Sequence, residues 1–256
     1  MLWLIFILLL VSLLYFFSRH LDWGWYILVF LSPLIHWIFY FSKYYYFFTE
    51  NFPWLLGVYA PVVEFWTLFL FCAYLLYLGR QWARGEAVKI YLPGIGWFLL
   101  FVGTALVSLV NVYPLEIFAS LWYLLHFIVF FYFGYIVLGA NIIKNKKILE
   151  RSLQILAGMG VLAILMGWAS IIFGKWRELY SFPRITPFAL GNFAPFGDQH
   201  IFLAEILTMV LPIFAYFWYV QRRERKNWLA GGSILVLFTA LGTLSRSAWV
   251  TVLQKF

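Results

Sequence analysis

The sequence predicts an all-α, polytopic membrane protein, and three observations carry that prediction. Of the 256 residues, 65% are hydrophobic and only 11% charged, with a mean hydropathy of +0.90, whereas soluble domains run near 45–50% apolar and about 25% charged. Apolar runs of about the length that crosses a bilayer recur along the whole chain, and most lysines and arginines fall in the short gaps between them. A soluble core has no way to hide this much apolar surface, because even a large domain covers its outside with polar groups.

A helix needs roughly 20 apolar residues to cross about 30 Å of hydrocarbon. Eight runs meet or approach that length, at residues 1–17, 23–41, 54–78, 94–110, 115–139, 153–173, 201–220 and 228–244, with a ninth begun after Arg246. They are apolar all round rather than alternating with period two, so they read as helices and not as barrel strands. The first run has no basic flank before it and no small-residue cleavage site, and reads as a retained span. The chain is expected to form one transmembrane domain, 1–256, with the bilayer itself as its first partner.

The gaps orient the spans. Arg80, Arg84 and Lys89 fill one, Lys144, Lys146, Lys147 and Arg151 another, and "QRRERK" (221–226) a third. These are every second gap, and the positive-inside tendency assigns them to the cytoplasm. The gap "NVYPLE" (111–116) has no Lys or Arg and fits the opposite face. This pattern explains the formal charge of +8 without a nucleic-acid partner. The single cysteine, Cys72, lies within an apolar run and excludes an intrachain disulfide.

With this topology, residues 174–200 form the one long external connection, "GKWRELYSFPRITPFALGNFAPFGDQH". It carries Lys175, Arg177 and Arg184 on the side where cations are depleted. Lys175 and Arg177 suit head-group contacts at a helix end, while Arg184 stands deeper, among Pro183, Pro187 and Pro195. The last full span leads to Ser245-Arg246-Ser247 at the same face. A guanidinium there offers five donors in a rigid fork matched to phosphate, and the two serine hydroxyls add further hydrogen bonds. At the start of the seventh span, Asp198 suits a helix cap and His200 is a base or an interfacial hydrogen-bonding group. Glu205 lies five residues inside that span and calls for a partner, with Arg246 the nearest by topology. Glu64, read as mid-span, is a proton-linked group or a hydrogen-bonded structural one, and His36 and His126 read as packing or hydrogen-bonding residues. No phosphate-binding glycine loop, CxxC pair, HExxH or nucleophile elbow occurs.

Two stretches resemble a known family. "TLSRSAWV" (243–250) is similar to the T-x-S-R-[GS]-A-W element of the bacterial O-antigen ligase and polymerase family, and "FGDQHIFLAEILTMVLPIF" (196–214) to the segment that precedes it there. The resemblance implies a GT-C-like membrane fold and a multi-pass protein of the bacterial inner membrane. It further implies transfer of a glycan from an undecaprenyl pyrophosphate carrier to a glycan or lipid acceptor on the periplasmic side, with no bound metal or other cofactor. Arg246 would hold the carrier pyrophosphate, Arg184 would add a second contact, and a histidine would deprotonate the acceptor; the family's catalytic histidine lies in a large periplasmic loop beyond these residues, and His200 is the substitute candidate in this sequence. Ser245, Ser247, Asp198 and Glu205 complete the expected substrate-binding set. Family members continue past the S-R element into further spans and a large periplasmic loop, so by resemblance this chain is expected to be an amino-terminal part whose catalysis alone is in doubt. The rival reading is a transporter or flippase for an anionic or lipid-linked substrate, with Glu64, Glu205 and Arg246 along its path.

Overall fold

The computed structural model describes residues 2–34, 38–40, 59–111, 117–173, 177–179, 182–187, 196–197, 199–220 and 223–243. The regular elements among the described residues are helices, apart from two pairs of three-residue strands. Among the described residues, four helices are long and apolar enough to cross a membrane, or five if a bent amino-terminal pair is one span. The chain divides into two compact units, Met1–Leu28 with Glu64–Leu149 and Val29–Val63 with Glu150–Phe256.

In the first unit, α1 (Leu2–Arg19) is followed after a single residue by α2 (Leu21–Leu31). The two are bent by 103° at His20. The expected first and second spans are therefore one 18-residue helix and one 11-residue helix. Next in this unit comes α3 (Val62–Ala83). It begins after Pro61, which ends the strand β2 (Tyr59–Pro61) and has no N–H to continue a ladder. Pro61 thereby moves Glu64 out of the expected mid-span position and into the first turn of α3. The helix α4 (Ile95–Ser108) has 14 residues, or roughly 21 Å at 1.5 Å per residue, short of a bilayer. Three continuous segments follow: α5 (Ile117–His126), a π-helical stretch (Phe127–Val137) and α6 (Leu138–Ile142).

Aromatic rings hold this unit together. Phe17 meets the Trp66 and Phe69 rings edge-on at 5.1 and 5.9 Å, and Trp66 Nε1 donates to the Gly24 carbonyl at 2.9 Å. Phe98 of α4 stacks on Tyr132 of the π-helical stretch at 3.7 Å. Residues 4–11 of α1 are apolar and exposed all round, with Leu4 66% and Leu8 57% exposed. Surfaces of this kind fit lipid and not water.

In the second unit, β1 (Ile38–Tyr40) pairs antiparallel with β2, Phe39 opposite Ala60. α7 (Lys146–Ile172) enters this unit at Glu150. The strands β3 (Arg177–Leu179) and β4 (Phe182–Arg184), α8 (His200–Val220) and α9 (Arg223–Gly242) follow. The buried stripe of α8, including Leu203, Leu207, Val210 and Phe214, recurs every three or four residues and makes it the central helix. Glycines on its neighbours admit it: a Cβ on Gly160 would come within 2.5 Å of Val210, and one on Gly232 within 2.8 Å of Phe214. Without a hydrophobic driving force between helices in lipid, such close approach is what dispersion forces require.

Candidate functional site

Among the described residues of the segment 174–200, Ile185 anchors the chain to the end of α9. Ile185 donates its backbone N–H to the Gly242 carbonyl at 3.1 Å, satisfying an acceptor that the end of α9 leaves without an intrahelical partner. Its side chain fills a hole made by glycines. A Cβ on Gly242 would lie 2.5 Å from Ile185 Cδ1, and one on Gly167 would lie 2.9 Å from both Ile185 Cγ2 and Leu203 Cδ2. Gly167 is near the end of α7, Leu203 near the start of α8, and Gly242 closes α9. One side chain thus ties together three helix ends at one pole of the unit. Ile185, Thr186 and Pro187 are all buried.

The last turn of α9 is tightly held. Thr243 is fully buried, and its hydroxyl donates to the Ala240 carbonyl at 2.7 Å. Trp168 of α7 donates from Nε1 to the Thr239 hydroxyl at 3.2 Å, and that hydroxyl donates in turn to the Leu235 carbonyl. Ser245, Arg246 and Ser247 follow Thr243 by two to four residues and lie outside the described residues.

Arg184 ends β4, directly before Ile185, and its register partner in β3 is Arg177. Two arginines therefore stand at facing register positions of one small ribbon. Sequence reasoning assigned Arg177 to a helix end and missed this pairing. Only the seven-residue spacing between the arginines hinted at it, since "YS" (180–181) is no hairpin signature.

His200 is the first residue of α8 and is half-buried. It follows a buried turn in which Gly197 has φ +77°, a conformation that glycine reaches without strain. Asp198 lies outside the described residues. Glu205 is exposed on α8. Its backbone carbonyl accepts from the Thr208 hydroxyl at 2.9 Å, and its carboxylate has no partner among the described residues. The structure thus brings the Arg184 segment to the end of α9, and sets His200 and Glu205 on the helix whose Leu203 packs beside the same glycine hole.

A second polar site lies within the first unit. Glu64 Oε1 and His126 Nε2 are 2.6 Å apart, with the carboxylate side chain 17% exposed and the imidazole 40%. Tyr135, in the π-helical stretch, feels the Glu64 charge and shares a hydrogen bond with Thr67 one turn along α3. His126 is thus a hydrogen-bonding histidine, while His36 lies outside the described residues. Among the described residues, no three His, Cys, Asp or Glu side chains gather as metal ligands do.

No protein-family model, curated protein or solved structure matches this chain. The chemistry of the two sites is the basis for any assignment.

Proposed function

We propose that the protein is a periplasm-facing glycosyltransferase of the O-antigen ligase or polymerase type, in the bacterial inner membrane. In this reading it has eight spans, a ninth begun and a GT-C-like arrangement. The donor is an undecaprenyl pyrophosphate-linked glycan and the acceptor a glycan or lipid hydroxyl. The bond from the sugar's anomeric carbon to the pyrophosphate oxygen breaks, and a bond from that carbon to the acceptor oxygen forms. His200 takes the acceptor proton, and the carrier pyrophosphate leaves with the bonding electrons. Arg246, with Ser245 and Ser247, stabilises the charge that grows on the leaving group, and Arg184 assists. Fixed guanidinium groups at a low-dielectric face suit that task.

The observation that carries the reading is the Ile185 to Gly242 main-chain bond, which joins the Arg184 strand to the helix leading into Ser245-Arg246-Ser247. The test is transfer in proteoliposomes that contain the full chain, carrier-linked donor and acceptor. Arg246→Ala should lower turnover by about 10²–10³-fold, the usual cost of removing one transition-state donor. Unchanged transfer would reject the assignment.

A second reading, a transporter or flippase, is favoured by a different observation. The Glu64 and His126 pair sits on apolar helices, and ionisable groups within spans commonly mark ion or proton paths. The same proteoliposomes separate the two readings, since a flippase carries labelled donor across the bilayer without forming product.

A further inference from the structure

Three helices of the first unit end in cations, and the fold gathers those ends. Arg19 closes α1, Arg80 stands in the last turn of α3, and Lys144 follows α6 by two residues. Helix carboxyl ends attract one cation each, but more than that are present. A cavity of about 560 Å³ is lined by Arg19, His20, Arg80 and Arg84, with Glu86 its one carboxylate. A second cavity of about 250 Å³ shares Tyr77 and Gln81 with it and adds Lys89 and Lys144. The larger volume is within the roughly 300–1,000 Å³ of small-molecule sites.

The cations are held in place despite mutual repulsion. The Arg19 and Arg80 guanidinium carbons lie 4.9 and 5.4 Å from the centre of the same Tyr15 ring. Arg80 donates from Nη2 to the Ser18 carbonyl, one bond from a group with five donors. The Tyr77 hydroxyl receives Gln81 Nε2 at 2.8 Å and Lys144 Nζ at 3.1 Å. Glu86 offsets little, as its nearest approach to Arg84 is 3.9 Å and the two side chains are 49% and 66% exposed. Trp82 of α3 is 78% exposed and Trp23 of α2 is 58% exposed, as tryptophans are at the level of lipid head groups. Arg80, Arg84, Lys89 and Lys144 also belong to gaps that the charge pattern assigns to one membrane face.

We propose that these adjoining cavities bind a phosphate-bearing anion at that face, through Arg19, Arg80 and Arg84 with Lys89 and Lys144 beside them. The site is independent of the transferase reading and uses none of its residues. The chemistry fits the phosphate of an anionic lipid head group or a soluble phosphate group.

Native mass spectrometry of the full chain, titrated with phosphatidylglycerol or with zwitterionic phosphatidylcholine, tests it. The anionic lipid should bind more tightly. R19Q/R84Q should weaken its binding by about thirtyfold and R84Q alone by about fivefold, from the usual contribution of each cation near an anionic surface. The single variant leaves the Arg80 and Tyr15 contacts intact and covers the case in which the double variant misfolds. K147Q/R151Q, which removes two exposed charges outside both cavities, is the control and should have little effect. Inorganic phosphate added to lipid-free protein distinguishes the sources. Thermal protection with the same arginine dependence assigns a soluble phosphate group, and no protection alongside selective lipid retention assigns a membrane lipid; both outcomes support the site. Equal retention of the two lipids with no phosphate effect overturns it, as does an equal loss in the control variant.

Discussion

Glu64 and Glu205 are both carboxylates near the start of an apolar helix, and their surroundings differ. Glu64 is largely buried in the first turn of α3 and is 2.6 Å from His126. Glu205 is exposed on α8, with no partner for its carboxylate among the described residues. A paired carboxylate contributes to the stability of its own unit. An unpaired one in an apolar helix costs free energy unless another group meets it, so Glu205 is the better candidate for contact with substrate or with the Arg246 segment.

That contrast can be broken at three points. Glu64→Ala leaves the His126 ring without its partner and should destabilise the first unit most, by about 1.5–3 kcal/mol, the scale for a hydrogen bond to a charged group. Thermal unfolding in detergent, repeated with His126→Ala and with the double variant, checks it. Strong non-additivity is expected, and purely additive losses would mean the pair contributes nothing as a pair. Gly242→Leu tests the other region through packing rather than charge. The new side chain displaces Ile185 from its hole, and overpacking of this kind costs about 1–3 kcal/mol. Protease cleavage within 174–200 should accelerate, because the loop loses its anchor to α9. Glu205→Gln should change unfolding least, within about 0.5 kcal/mol, the range for exposed positions without structural partners. If it lowers transfer while stability holds, the carboxylate has a functional role. A stability loss as large as that of Glu64→Ala would remove the contrast.

The helices were legible wherever a run was long and uninterrupted. The expected span 201–220 is α8 to within a residue, and the expected 153–173 is the apolar part of α7. The exceptions have local causes. Pro61 delays the start of α3, which turns a mid-span glutamate into a first-turn one. The "SRHLD" gap (18–22) reads as an ordinary loop, yet a single residue, His20, suffices to bend the chain by 103°. At the candidate site, the resemblance of residues 196–214 and 243–250 directed attention to the start of α8 and to the segment after α9, of which residues 244–250 lie outside the described residues. The facing positions of Arg177 and Arg184 were not legible, since the residues between them carry no turn signature.

Composition and hydropathy by themselves determined that this chain is built of apolar helices suited to a membrane, because the cost of exposing so much apolar surface to water admits little else. Charge distribution grouped the gaps into an expected topology. Only the tertiary structure decided that Glu64 meets His126, 62 positions away, that Ile185 fills a hole between Gly167 and Gly242, and that the cations of three gaps line adjoining cavities. Those pairings depend on close approach between residues distant in sequence, and the free energy of packing and hydrogen bonding that selects them exists only once the helices are in contact.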